Sequence, residues 1–226
     1  NSVNTVSTGA NHLIYNRGAL TNSFATVLFL NNSISNYTFN ANANGGFFGL
    51  YNNGVSVGDL FIVSNTLSTL YFTSTLSTRH MIFNSGAASG SVNLNLNEFD
   101  NINATANTSG AFFFVNNTGS SALGTALNAN RIINSQLNSS TGDMNAIRNA
   151  GASTASIQIC DNWIQNLNTQ HTAAGVFYGL YNDAASCSTL SVLQNTIANC
   201  LRQSANGANF WIYSRGTGAT TMNVTE

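Results

Sequence analysis

The 226-residue chain contains no proline and no lysine, and all six of its basic residues are arginine. Charged residues make up only 6% of the chain, and the formal net charge is −1. This balance provides no basic surface for nucleic acid or for an anionic membrane, so we expect neither as a partner. No apolar run approaches the roughly 18 residues of a membrane-spanning helix, and we therefore expect no membrane insertion.

What the chain does contain is an asparagine that recurs about every 32 residues. The recurring residues are Asn32, Asn65, Asn97, Asn130, Asn162 and Asn195, at steps of 33, 32, 33, 32 and 33 residues. Each has an apolar side chain three residues earlier and another two residues later, and Asn or Thr four residues later. A fixed period of this length predicts a stacked repeat architecture.

Each repeat holds three strand-like segments. The first alternates apolar and polar residues before the asparagine, which is the period of a half-buried strand. The asparagine suits a tight turn because it tolerates left-handed backbone angles, and in the strand after it we expect the asparagine, the apolar residue and the second Asn or Thr to face inward. The third segment is aromatic, and we expect exposed rings there, such as Phe114, Tyr51 and Tyr181.

We therefore predict an all-β fold, a parallel β-helix (solenoid) of about seven coils with three strands per coil, that spans residues 1–226 as a single domain. The abundance of Asn, Ser, Thr and Gly disfavours a helical solenoid. Stacking places each recurring asparagine about 4.8 Å from the next. An internal Asn ladder results, in which side-chain amides bond to one another along the axis.

The phrase apolar-x-x-Asn-x-apolar-x-Asn, as in Ile159–Asn166, resembles the repeats of the right-handed parallel β-helix superfamily. That superfamily includes pectate-lyase-like proteins and the passenger regions of bacterial surface proteins. The resemblance covers the whole chain and implies a right-handed coil, but it specifies architecture and leaves function open. Members that cleave polysaccharides use clustered acids, often with calcium, and an Arg or Lys base.

One surface patch comes closest to such a cluster. Glu98 and Asp100 face outward on one strand, with Arg131 over Glu98 in the next coil and Trp163 over Arg131. A sugar-binding or catalytic patch is one interpretation, and a surface ion pair with a cation–π neighbour is the other. We favour the second, because no third carboxylate stacks beside them.

Other chemistry-bearing residues are scattered. The three cysteines, Cys160, Cys187 and Cys200, fall at different phases of the repeat, so buried or free thiols are favoured over a disulfide between loops. No C-x-x-C spacing indicates a metal site. The histidines, His12, His80 and His171, are also out of phase, and we expect them to be solvated. No Ser-His-Asp, Walker or dinucleotide motif is present. We expect no enzyme activity and no cofactor.

The leading functional hypothesis is structural. Lysine and proline, which blunt exposed strand edges, are absent, and residue 226 leads in phase into residue 1, so we expect uncapped ends and one unit of a longer array. The segment would belong to an extracellular fibre or giant surface protein, with identical units end to end as partners. Alternatives are a carbohydrate-binding or polysaccharide-lyase-like domain with glycans as partners, and the stalk of an adhesin.

Overall fold

The computed structural model describes residues 2–3, 10–22, 25–39, 46–73, 78–105, 109–204, 206–216 and 221–224. These residues form strands and turns, and none of them lies in a helix. The strands are β1 (Ser2–Val3), β2 (Asn11–Asn16), β3 (Val27–Leu30), β4 (Ser33–Phe39), β5 (Phe47–Asn52), β6 (Leu60–Val63), β7 (Thr66–Phe72), β8 (Arg79–Asn84), β9 (Ser91–Asn93), β10 (Glu98–Ala104), β11 (Phe112–Asn117), β12 (Gly124–Ala126), β13 (Arg131–Ser139), β14 (Met144–Asn149), β15 (Ser156–Gln158), β16 (Trp163–His171), β17 (Phe177–Asn182), β18 (Thr189–Val192), β19 (Thr196–Ala198), β20 (Leu201–Ser204), β21 (Asn209–Ser214) and β22 (Thr221–Val224).

Each coil contributes to three parallel sheets. Sheet 1 has the order β1-β4-β7-β10-β13-β16-β19, with β20 also paired to β16, and sheet 2 has the order β2-β5-β8-β11-β14-β17-β21. Sheet 3 has the order β22-β18-β15-β12-β9-β6-β3. Every strand pairs with the equivalent strand of the neighbouring coil, which confirms the predicted parallel β-solenoid. No helix of the described residues is long and apolar enough to cross a bilayer.

The core consists of apolar columns that run along the solenoid axis. In sheet 1, the residues two positions after the ladder asparagine pair in register. These are Leu67, Phe99, Ile132 and Ile164, each 0% exposed. Complete burial of an apolar side chain of this size stabilises the fold by about 1.5–3 kcal/mol. The predicted inward apolar position is therefore confirmed.

The position four residues after the ladder asparagine does not face inward as predicted. Its members have positive φ angles between 50° and 56° and are exposed or half-buried: Asn36, Thr69, Asn101, Asn134, Asn166 and Asn199. Asn166 donates a hydrogen bond to Asn134 Oδ1 at 2.9 Å, and Asn134 donates to Asp100 Oδ1 at 3.0 Å. Asparagine recurs here because it tolerates the left-handed conformation, and the side chain bonds on the outer surface.

The turn before the second strand also differs in detail from the prediction. The left-handed residue is the one that precedes the ladder asparagine, with φ between 54° and 58°: Asn31, Ser64, Leu96, Ala129, Asp161 and Gln194. The ladder asparagine itself has no positive φ. Its repeated use therefore follows from its side-chain hydrogen bonds rather than from backbone conformation.

The aromatic strands of sheet 2 depart from simple alternation. In β11, Phe112 and Phe113 pair with both neighbouring strands, Phe114 is left out of the pairing, and Val115 resumes it. Phe114 and Val115 are both 0% exposed. The expectation that Phe114 is exposed was wrong, because the alternation of inward and outward side chains breaks between these two residues. Tyr181 is also buried, at 6% exposed, against expectation, and Tyr51 is half-buried.

Candidate functional site

The predicted Asn ladder is present and is the most regular polar feature of the interior. From Asn32 to Asn195, each side-chain Nδ2 donates to the Oδ1 of the next ladder member at 2.8–3.2 Å. The backbone N–H of each donor residue bonds to the same Oδ1 at 2.9–3.1 Å. The second Nδ2 hydrogen goes to a carbonyl of the preceding coil, as from Asn97 to Ile62 O at 2.9 Å. These bonds explain how a fully buried amide is stable there.

A second Asn ladder, which the sequence analysis did not predict, is formed by the last residues of the sheet 2 strands. Its members donate Nδ2 to the next Oδ1 at 2.7–3.1 Å: Asn16, Asn52, Asn84, Asn117, Asn149 and Asn182. From Asn52 to Asn149, each also donates to the carbonyl of a glycine two residues later at 3.1 Å. The signal was visible in the sequence, because Asn-x-Gly recurs at this phase from Asn16 to Gly151.

Glycine is needed in this turn because successive coils approach very closely. A β-carbon at Gly86 would overlap the carbonyl group of Gly54 and the side chain of Asn52. At Gly18, by contrast, the nearest atom to an added β-carbon is Asn16 Oδ1 at 3.6 Å, an ordinary contact. The second ladder therefore combines an amide that bonds along the axis with a backbone that only a small residue permits.

The outer face of sheet 2 carries two columns of mostly aromatic side chains, which we call the aromatic strip. One column is His12, Phe48, His80, Phe113, Asn145, Tyr178 and Phe210, and the other is Tyr15, Tyr51, Phe83, Asn116, Arg148, Tyr181 and Tyr213. Ring centroids of Phe48 and His80 lie 5.0 Å apart at 5°, and those of His80 and Phe113 lie 4.6 Å apart at 2°. The strip is continuous from His12 to Phe113.

The rings of the aromatic strip stand upright on the sheet. Near-parallel rings at these distances must overlap face to face, because side-by-side rings would collide. Such stacking occurs between coils, as for Tyr15 and Tyr51 at 5.0 Å, and within a coil, as for His12 and Tyr15 at 4.4 Å. The ring planes are therefore steep to the sheet, and their edges, rather than their faces, meet solvent.

Arg148 bridges the one place where the strip lacks rings. Its guanidinium carbon lies 5.9 Å from the Phe113 ring centroid and 5.7 Å from that of Tyr181, so a planar cation continues the stack. Arg148 also contacts Asp183 at 3.4 Å, and Asp183 accepts from Arg215 at 2.9 Å. Charges on these three neighbouring coils thus alternate in sign.

Two of the three histidines are buried, which corrects the expectation that they are solvated. His80 is 7% exposed within the strip, and burial, with Arg148 adding repulsion, lowers its pKa to about 3. His171 is 2% exposed, and its Nε2 lies 3.0 Å from the carbonyl oxygen of Gly142. Burial also lowers the pKa of His171. Both rings are therefore neutral at pH 7. His12 is half-buried at one end of the strip, and burial lowers its pKa.

Arg79 is a charged side chain inside the core. It occupies the first inward position of β8, in register with Phe47 and Phe112, and is 1% exposed. Its guanidinium carbon lies 5.5 Å from the centroid of the Phe72 ring. Burial lowers its pKa to about 10, so the side chain still carries its charge at pH 7.

The predicted surface patch has the predicted register. Glu98 pairs with Arg131 across the sheet, Arg131 pairs with Trp163, and the Glu98 Oε2 to Arg131 Nη1 distance is 2.9 Å. Asp100 accepts instead from Asn134. Arg131 and Trp163 line a surface hollow of about 430 Å³ together with Asp161 and Gln165. The structure thus brings an ion pair and an exposed indole to one face of sheet 1.

No cluster of metal-ligating side chains occurs in the described part of the chain. Groups of three or more His, Cys, Asp or Glu side chains that could hold a metal ion are absent from these residues. The three cysteines are free thiols; Cys187 is buried, and Cys160 and Cys200 are half-buried. Comparison with protein-family models, curated proteins and solved structures found no significant match to any of them.

Proposed function

We propose that the chain is a structural segment of a longer extracellular or cell-surface β-solenoid, in which coils continue into neighbouring units of the same or another polypeptide. The observation that carries this proposal is the open interior at both ends of the described stack. Leu180 is 1% exposed, whereas Ile212, the next residue of the same inward column, is 46% exposed. At the other end, Ile34 is half-buried, whereas Leu67 beside it is 0% exposed.

Coverage of these open columns by another coil is energetically favourable. Covering a half-exposed side chain such as Ile212 contributes about 1 kcal/mol. Trp211, also an inward residue of the last sheet 2 strand, is 36% exposed and adds to the same apolar surface. The edge strands also present backbone donors and acceptors that pair readily with another strand.

The two Asn ladders give the stacking contact a direction. In both ladders the bonds from one side-chain amide to the next run toward the coil that is later in sequence, as from Asn16 to Asn52 and from Asn32 to Asn65. A neighbouring unit that continues the inner ladder would therefore place an amide oxygen beside Asn195, at the late edge. A head-to-tail contact of this kind extends into an open rod rather than closing into a dimer.

The role we propose is mechanical, and a location outside the cell agrees with the composition. The interior is joined along the axis by backbone ladders, two amide ladders and stacked rings, and charged residues are 6% of the chain. Few of the contacts along the axis are between charged groups, so salt has little to act on. A rod exposed to varied surroundings benefits from such insensitivity.

Electron microscopy of the native material, with mass analysis of the denatured chain, tests this proposal. We expect filaments with an axial repeat of about 34 Å, seven coils at one strand spacing each, or a small multiple of it. A denatured mass far above 23.8 kDa would identify tandem units, and a mass near it would identify stacked subunits. Soluble monomers of that mass without filaments would overturn the proposal.

A matched pair of variants tests the contact itself on the 226-residue chain. Ile212→Lys places a charge on the open column and is expected to abolish end-to-end association in sedimentation velocity. Leu123→Lys changes a leucine that is 69% exposed just before β12, the central strand of sheet 3 and far from both ends, and it should associate like the parent. Equal association of both variants would contradict stacking through the open columns.

A further inference from the structure

We propose that His171 and Arg202 form a pH-sensitive latch, which holds the turn after β20 closed at neutral pH and releases it in acid. His171 is the last residue of β16, and Arg202 lies in β20 of the following coil. The latch joins the turns that lead from sheet 1 to sheet 2 in three successive coils. It is separate from the structural role proposed above and does not depend on whether further coils are present.

His171 takes the place of a serine in its column of sheet 1. It pairs with Ser139 of the preceding coil and with Ser204 of the following coil. Each serine closes its own turn, because its Oγ accepts from the backbone N–H of a glycine three residues later, Gly142 at 2.9 Å and Gly207 at 2.8 Å. The imidazole of His171 instead bonds to groups of both neighbouring coils.

The partners of the two ring nitrogens fix the protonation state of His171. Its Nε2 lies 3.0 Å from the carbonyl oxygen of Gly142, which can only accept, so Nε2 carries a hydrogen. Its Nδ1 lies 3.3 Å from Nη2 of Arg202, which can only donate, so Nδ1 presents a lone pair. Only the neutral tautomer with hydrogen on Nε2 satisfies both contacts.

Arg202 holds the turns of the two later coils together. Its Nη2 donates to the carbonyl of Gly175 at 3.0 Å, and its Nη1 donates to the carbonyl of Gly207 at 3.2 Å. These turns are closely stacked, since a β-carbon at Gly207 would overlap the carbonyl of Gly175 and lie 2.8 Å from Nη2 of Arg202. The guanidinium is therefore packed against the backbone of both turns and cannot leave His171 without disturbing at least one of them.

A second proton on His171 is incompatible with the closed latch. It would set an Nδ1–H against a guanidinium N–H and place two positive charges side by side. Burial, with Arg202 adding repulsion, lowers the pKa of His171, whereas the bond to Gly142 and the carboxylate of Asp143, in the turn before β14, act in the opposite direction. Opening returns the ring toward its ordinary pKa of 6.5. The closed form is thus favoured above this pH and is progressively lost below it.

The release in acid has a direction. The imidazolium still donates from Nε2 to Gly142, so the turn of the earlier coil keeps its bond. Arg202, by contrast, loses its acceptor and is repelled. The turn after β20 therefore opens as the carbonyls of Gly175 and Gly207 lose their donors, while the turn that contains Gly142 stays closed.

Hydrogen exchange of the 226-residue chain, measured by NMR, tests the latch. The N–H groups of Gly207 and Gly142 make the same type of bond to a serine, so Gly142 is an internal reference. Between pH 7.5 and pH 5 the protection of Gly207 should fall relative to that of Gly142, by at most about thirtyfold for a group of ordinary histidine pKa in the open form. Nitrogen chemical shifts of His171 should show the Nε2–H tautomer at pH 7.5.

Three variants separate the parts of the latch. His171→Gln removes the titrating group and keeps an amide donor, so the protection ratio of Gly207 to Gly142 should no longer depend on pH. Arg202→Leu should lower the protection of Gly207 already at pH 7.5. The control is His12→Gln, which removes a half-buried histidine in β2, at the other end of the stack, and should keep the full pH dependence.

Three results would overturn the proposal. The first is a protection ratio of Gly207 to Gly142 that stays constant between pH 7.5 and pH 5 in the parent chain. The second is an Nδ1–H tautomer of His171 at pH 7.5, because that tautomer offers no acceptor to Arg202. The third is an equal pH dependence in the parent and in His171→Gln, which would assign the response to another group.

Discussion

Removing one member of the inner Asn ladder should destabilise the fold far more than a single hydrogen bond would. The substitution Asn97→Leu keeps a side chain of similar size and removes the amide. Two buried groups then lose their partners, the backbone N–H of Asn65 and the carbonyl of Ile62, while the side-chain amide of Asn65 keeps its bonds to Phe29 O and Val63 O. At 1–3 kcal/mol for each buried unsatisfied group, the free energy of unfolding should fall by about 4 kcal/mol.

Urea unfolding followed by circular dichroism measures the loss, and hydrogen exchange locates it. The backbone amide of Asn65 should lose protection in Asn97→Leu, whereas that of Asn130, which donates to Asn162 Oδ1, should keep it. The control is Asn53→Leu, an exposed asparagine in the turn after β5, for which we expect a change within about 0.5 kcal/mol. If Asn97→Leu unfolds within 1 kcal/mol of the parent, and Asn65 stays protected, the amide ladder is not a major source of stability.

Two further predictions concern the aromatic strip and the second ladder. The pKa of His80 is about 3 in the fold against 6.5 in the unfolded chain, so the unfolded state binds the extra proton as pH falls through this window. Through His80 alone, the free energy of unfolding should therefore drop by about 2 kcal/mol between pH 7 and pH 5, and His171, whose pKa burial also lowers, should add to this drop. In urea titrations His80→Phe should remove the His80 contribution, whereas His12→Phe should leave it in place, and equal slopes in all three proteins would refute the prediction. Gly86→Ala should lower the melting temperature by several degrees and the free energy of unfolding by about 2 kcal/mol or more. Gly18→Ala, the control, should be neutral or slightly stabilising. Equal melting temperatures of the two variants would show that the coils can separate locally.

The sequence predicted those features that repeat at one phase and in one residue type. The inner Asn ladder, the apolar column beside it and the register of Glu98, Arg131 and Trp163 all follow from counting residues, because equivalent positions of a solenoid stack. The second Asn ladder carried an equally regular Asn-x-Gly signal. It was missed because its phase lies at the end of the aromatic strand, where the apolar pattern dominated the interpretation.

The inward or outward direction of side chains was less predictable in the strands of sheet 2. The rule that alternate residues face opposite sides assumes an unbroken ladder, and each sheet 2 strand omits one residue from its pairing. For that reason Phe114 and Val115 are both buried, and alternation alone could not tell which residues of the run Phe112–Val115 face inward. The burial of His80 could not be predicted either, because it depends on the rings of Phe48 and Phe113 in two other coils.

The low charge of the chain follows from the way its coils stack. A parallel in-register stack places equivalent side chains about 4.8 Å apart, and like charges at that separation repel by one to a few kcal/mol. Like amides and like rings, by contrast, attract one another. Where this chain does place charges on neighbouring coils, they alternate in sign, as for Arg148, Asp183 and Arg215. Asparagine and aromatic residues are thus the side chains that a repeated coil can stack without limit, and this property is what indefinite extension of a rod requires.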